Sequence, residues 1–281
     1  MTNGNEAQSE FWQELAPAWL ASEDHTEKVS ASFGVAAMDH LALRAGQRVL
    51  DIGCGSGTTT LELARRVGPE GEAVGIDIAP AMVGAAQEHA TVAGVGNASF
   101  FAADAQLDVL GVTPFDAAFS RFGVMFFADP VAAFTNIRSA LRPGGVLAFA
   151  CWDDLFANEW MFVPGSAVVT ATGSLPPMPG PDEPGPFSLA DAGRVEAVLT
   201  AAGFRQINVT SRAETIVLPE AQLESYVALS RRVGPVREAL RTADTETATR
   251  IDDAVRAALT ERLDHGELRL SAAALIVSAH T

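Results

Sequence analysis

Three glycines at alternate positions, in Val49-Leu50-Asp51-Ile52-Gly53-Cys54-Gly55-Ser56-Gly57-Thr58-Thr59-Thr60, constrain this chain more than any other stretch. An apolar run enters an acidic residue, then the glycines, then the amphipathic Leu61-Glu62-Leu63-Ala64. That order predicts a strand, a tight turn and a helix, with glycine where a ligand approaches the backbone closely. The spacing also bears on the ligand. A dinucleotide fingerprint reads G-x-G-x-x-G/A, its third small residue letting helix pack on strand. Counted from Gly53 that place is Thr58, and from Gly55 it is Thr60, so neither register fits well.

From Arg48 onward strand and helix signals alternate, which predicts a parallel sheet with helices on both faces. Strands are readable at 47–51, 73–77, 98–103, 115–120 and 145–151, and helices at 58–67, 79–94 and 130–141. Ahead of them, Phe11, Trp12, Leu15 and Trp19, then Val29, Phe33, Ala37 and Leu41, recur at helical spacing. Packing on the core accounts for Leu15 and Leu41; for Trp19 and Asp24-His25-Thr26 a lid over a ligand pocket is the competing reading. Residues 153–187 are rich in proline and glycine, as a functional insertion or a mobile loop would be. A helix near 189–202, a strand at 206–210, a helical block over 213–265 and a strand at 268–279 follow. Without a standard crossover between them, the last two strands allow an antiparallel partner at the sheet edge. The length suits one domain: a helical lid at 1–45, a ligand-binding core at 46–152, substrate-side insertions at 153–188 and 213–265, and segments 189–212 and 266–281 completing the sheet.

A formal net charge of -16 opposes nucleic acid and anionic membrane surfaces as partners. The two cysteines, Cys54 and Cys151, lie far apart and form no metal motif, and no metal is expected. The polar start shows no signal peptide and no apolar run is long enough for a membrane span, so a cytoplasmic setting is expected.

In an open α/β sheet, ligands sit outside the carboxyl ends of the strands. Those ends carry Asp51 with the glycine loop, Asp77 in Val74-Gly75-Ile76-Asp77-Ile78, Ala103-Asp104-Ala105, and Ser120-Arg121-Phe122-Gly123. Together with Leu141-Arg142-Pro143-Gly144-Gly145, these segments resemble the class I S-adenosylmethionine (SAM) methyltransferases, in the small-molecule branch that includes quinone-biosynthesis enzymes. The resemblance runs through several separated segments from Val49 to Phe149. It implies a Rossmann-like, seven-stranded, mostly parallel sheet with an antiparallel last strand, plus helical lid and cap insertions. It further implies SAM as cofactor, with Asp51, Gly53 and Gly55 by the methionine part, Asp77 on the ribose and Asp104 with Ala103 and Ala105 on the adenine. Ser120 would lie near the methionine tail, and Trp19, Gly57, Ile78, Met82 and Arg121 complete the cofactor set.

Methyl transfer from an activated donor asks for position and a dry pocket rather than a triad or a metal. A base is needed only where the acceptor must lose a proton. His25 is the first candidate, Tyr226 the second, and Asp153 with Asp154 the third. Phe122, Met125, Trp152, Trp160 and Tyr226 are the expected acceptor pocket, while Phe126 reads as core. They point to a small, largely apolar and aromatic molecule methylated on O, C or N. A non-catalytic SAM-binding regulator and an NAD(P)-dependent oxidoreductase are the alternatives, and a homodimer through the extra helices stays open.

Overall fold

Val49, Leu50, Asp51 and Ile52 are all buried, as a strand covered on both faces requires, and they place β1 (Arg48–Ile52) in the interior of the sheet. The computed structural model describes residues 4–176, 178–180 and 182–281, with Gly4, Asp24 and His25 described by backbone alone. Two helices, α1 (Gly4–Leu20) and α2 (Glu23–His40), precede β1. Then come α3 (Thr58–Val67), β2 (Glu72–Asp77), α4 (Pro80–Ala93), β3 (Ala98–Ala102), β4 (Phe115–Arg121), α5 (Pro130–Ala140) and β5 (Leu141–Trp152). The second half supplies α6 (Glu159–Thr172), α7 (Ala192–Ala201), β6 (Arg205–Pro219), α8 (Leu223–Ser230), α9 (Gly234–Leu240), α10 (Thr245–Thr260), β7 (Leu263–Asp264) and β8 (Glu267–His280).

The main strand order is β3-β2-β1-β4-β5-β8-β6, with the two-residue β7 pairing β8 off this path. Strands β3 to β5 run parallel, and β8 is antiparallel to both β5 and β6. From β1 the chain winds outward through β2 and β3, then returns to β4 and β5 on the other side. Right-handed crossovers therefore put α3 and α4 on one face and α5 on the other, and open a crevice at the carboxyl ends of β1 and β4. Phe115, Phe119, Phe134 and Phe149, none more than 1% exposed, fill the core below that crevice.

Three expectations change. The antiparallel strand β8 does not sit at the edge: it lies between β5 and β6, and β6 takes the edge. Residues 213–219, expected in a helical block, extend β6, whose polar outer residues suit an exposed edge strand. Within the proline-rich segment 153–187, α6 is a full helix despite Pro164. Proline lacks the N–H that would reach the carbonyl of Trp160 one turn back. The Tyr226 hydroxyl of α8 donates to that carbonyl instead, at 2.9 Å. Buried Asn158, just ahead of α6, accepts from Ala273 N–H and Trp160 Nε1 and donates to the carbonyls of Asp153, Asp154 and Ala273. One carboxamide thus ties the start of α6 to β8 and the end of β5. No helix among the described residues is long and apolar enough to cross a membrane.

Candidate functional site

The glycine loop holds its shape through left-handed backbone. Gly53, Gly55 and Gly57 have φ of 65°, 54° and 88°, a region that side-chain-bearing residues rarely adopt. At Gly53 a Cβ would come 2.9 Å from Gly123 Cα, so β1 and the loop after β4 touch backbone to backbone. At Gly55 a Cβ would meet nothing, leaving that stretch open toward the crevice. Behind the loop, Asp51 Oδ2 accepts from the hydroxyls of Thr59 and Thr60, each at 2.6 Å, fixing the first turn of α3. Its Oδ1 is buried without a partner. Burial pushes the Asp51 carboxyl up to about 6, against the opposing pull of those two hydroxyls.

At the end of β2, Asp77 accepts the Gly55 N–H at Oδ2 and the Ala79 N–H at Oδ1, both at 2.9 Å. Burial raises its pKa, the two backbone bonds opposing that rise. Each oxygen keeps a lone pair for a further donor. At the end of β3, Asp104 accepts the Gln106 N–H at Oδ1 and the Asn5 side-chain amide at Oδ2, at 2.8 and 2.7 Å.

The two N-terminal helices close over these strand ends. Glu23 of α2 accepts from the hydroxyls of Ser56 and Thr58, gripping the glycine loop. Glu27, one turn on, forms a two-bond pair with Arg121 at the end of β4. The Arg121 chain passes over Gly34, where a Cβ would stand 2.7 Å from its Cδ. Polar residues on a lid helix look like solvated surface in a sequence, and Asn5, Glu23 and Glu27 were missed for that reason.

Beyond Arg121 the wall turns aromatic. Phe122 has a φ of 60°, an unusual conformation for a bulky residue, and its N–H donates to the Ala150 carbonyl at 2.9 Å. Its ring stacks on Trp152, with centroids 3.9 Å apart and planes 16° from parallel. Trp160 also lies against Trp152, its centroid 4.9 Å away and its plane tilted by 49°. Tyr226 lines the same space, but burial raises its pKa and its hydroxyl is committed to Trp160, which leaves it poorly suited to act as a base.

These groups surround one cavity of about 980 Å³. Of the expected cofactor residues, Trp19, Gly53, Gly55, Asp77, Ile78 and Met82 lie on its wall. So do Ala103, Asp104, Ala105 and Arg121, and on the acceptor side Phe122, Met125, Trp152, Trp160 and Tyr226. Three expected contacts stand behind the wall. Asp51 is sealed beneath the loop. Gly57 packs against α4 and β3, where a Cβ would come within 2.8 Å of Ala86 and 2.9 Å of Phe100. Ser120 is buried, donating to the Ile52 carbonyl at 2.7 Å and so tying β4 to β1. Phe126, read as core, does pack against the hydrophobic core, and it also lines the cavity and meets Trp12 edge-on at 4.8 Å. The His25 side chain lies outside the described residues.

Residues 43–167 match the family described as "Methyltransferase domain". Aklanonic acid methyltransferase DauC of Streptomyces sp. (strain C5) is 39% identical over 104 residues, 37% of this chain and 47% of that protein. The ubiquinone/menaquinone biosynthesis C-methyltransferase UbiE of Idiomarina loihiensis is 35% identical over 109 residues, 38% of this chain and 43% of that protein. The chain thus covers less than half the length of these relatives. The crystal structure of YcgJ from Bacillus subtilis superposes with a TM-score of 0.57 at 18% identity, covering 89% of this chain and 98% of that one, a likeness of fold.

Proposed function

From the match of residues 43–167 to the methyltransferase-domain family, we propose that the chain is a SAM-dependent methyltransferase of a small, largely apolar and aromatic acceptor. The observation that carries the reading is one cavity with the polar strand ends on one side and the stacked Phe122–Trp152 wall on the other. The residues fit the cofactor. Open space in front of Gly55, the spare lone pairs of Asp77 and the buried, unpartnered Oε1 of Gln8 supply a cradle and acceptors for its hydroxyl and amino groups. Bound there, SAM supplies a methyl group on a positively charged sulfur, already activated for transfer.

The chain's own residues then bind and position. Asp77 accepts from the ribose hydroxyls, and Asp104 with Ala103 and Ala105 receives the adenine. Gly53 and Gly55 border the methionine part, with Arg121 near its tail, while Trp19, Ile78 and Met82 pack along the adenosine. Asp51, Gly57 and Ser120 hold the loop that does this. The flat face of Phe122 and Trp152 orients a planar acceptor, with Met125, Trp160 and Tyr226 around it, and the lid helices exclude water. Holding two reactants in a near-attack geometry is worth about 7–11 kcal/mol, the dominant share of such a reaction's acceleration. His25 remains the proposed base for acceptors that must shed a proton. A cytoplasmic setting and a homodimer through the extra helices belong to the same reading; two buried free cysteines support the former.

The test is calorimetric titration with S-adenosylhomocysteine, followed by transfer of labelled methyl from SAM to phenolic, quinone, carboxylic and amine acceptors. Binding together with acceptor-dependent turnover is expected. Binding without turnover across the panel favours a SAM-binding regulator, and an absence of binding sinks the reading.

A further inference from the structure

We infer that Gln8, on the first helix, is an adenine-recognition residue of the cofactor site, an assignment that rests on the proposed cofactor reading. Helix α1 crosses the adenosine half of the cavity and is pinned at two places. Ala16 is fully buried in a cluster with Ala79 and Met82, just past Asp77. Asn5, about 16 Å earlier along the helix at 1.5 Å per residue, donates its amide to Asp104 Oδ2 at 2.7 Å.

Gln8 lies three residues after Asn5 and four before Trp12, so the three share one helix face. All three border the cavity, as do Asp104 and Ala105. Gln8 Oε1 is buried there and has no hydrogen-bond partner. A buried acceptor without a donor is uncommon in folded proteins and calls for a use.

Adenine supplies the missing donor. Its amino group carries two N–H bonds, and the carboxylate of Asp104 accounts for one. The second is left for Gln8 Oε1, while the Gln8 amide donates to N7, a two-bond match that a carboxamide makes with adenine and not with a 6-oxo purine, whose O6 and N7 both accept. Asn5 has a different part. Its bond to Asp104 sets the position of α1 along the β3 end, and so the place of Gln8 over the base.

The experiment measures Kd by quenching of tryptophan fluorescence, Trp12 and Trp19 both lining the cavity. The ligands are S-adenosylhomocysteine and its 6-oxo analogue S-inosylhomocysteine, against the wild-type chain and Gln8→Leu. The expected result is a preference for the amino ligand that shrinks about five- to tenfold in the variant, as loss of one or two hydrogen bonds implies. A ratio of the two Kd values unchanged within about twofold overturns the role of Gln8. Because a ratio is read, a general loosening of the fold does not imitate the effect. Should Gln8→Leu bind neither ligand, Gln8→Met, closer in shape and without amide groups, supplies the same ratio. A wild-type chain that binds neither ligand refutes the cofactor reading itself, which separates the two failures.

Discussion

The bond from Tyr226 to the Trp160 carbonyl replaces a backbone bond that Pro164 cannot make, and that substitution can be weighed by a double-mutant cycle. Tyr226 is 3% exposed and its hydroxyl stands 2.9 Å from the carbonyl. Tyr226→Phe removes the donor with little change of shape and leaves a buried acceptor unmatched, at a cost of about 1–3 kcal/mol. For a chain of this size each kcal/mol moves the melting temperature by about 2–4 °C, so a fall of about 2–12 °C is expected. Pro164→Ala restores an N–H one turn after Trp160, where it can bond to the same carbonyl. In that background Tyr226→Phe should cost about 1 kcal/mol less, a coupling that only a shared acceptor explains. Urea titrations of the four proteins give the free energies and thermal melts check them. Additivity within about 0.5 kcal/mol would refute the reasoning. S-adenosylhomocysteine affinity should stay constant throughout, since the bond lies on the acceptor side.

Two further outcomes follow from the glycine loop. Gly57→Ala forces a side chain into left-handed backbone and against Ala86 and Phe100. It should destabilise by about 2–5 kcal/mol in urea titration, and a loss under about 1 kcal/mol would mean that α3 shifts freely. Asp51 has its pKa raised from 3.8 to about 6, so between those values the folded chain holds a proton that the unfolded chain has released. Its contribution to stability therefore falls as pH rises through that window, by about 3 kcal/mol in all. Asp51→Asn should remove this share of the slope, leaving that of Asp77, also raised by burial. A variant that keeps the wild-type slope between 3.8 and about 6 shows the argument to be wrong.

Strands β1 to β4 were legible within one or two residues; β1, β2 and β4 are buried apolar runs bounded by glycine turns or helix stops, while β3 keeps only Phe100 buried. Asp77 and Asp104 stood out as acidic residues at the ends of such apolar runs in the sequence. Asp51 and Ser120 were legible as polar and conspicuous but not as hidden, since a motif gives position along the chain and not depth. The far half of β6 escaped because exposed Val217 stands between buried Ile216 and Leu218, so the sequence reads there as a short apolar run and not as alternation. Pro164 and Gly165 masked α6, whose helix depends on a hydroxyl more than 60 residues away in sequence. Asn158, whose side chain makes five hydrogen bonds to four residues, carries no local signal at all; its role exists only once β5, α6 and β8 meet.

The position of β8 sets an order of assembly. Among the described residues strand β6 has no sheet neighbour other than β8, and α8, α9 and α10 are made between the two. On the ribosome the parallel core from β1 to β5 can pair as it emerges, but β6 must wait exposed until β8 arrives to bridge it to β5. The acceptor-side helices hang on that late closure, while the glycine loop and its acidic strand ends do not. A nascent chain stalled before β8 would therefore have its cofactor half built well before its acceptor half has any walls.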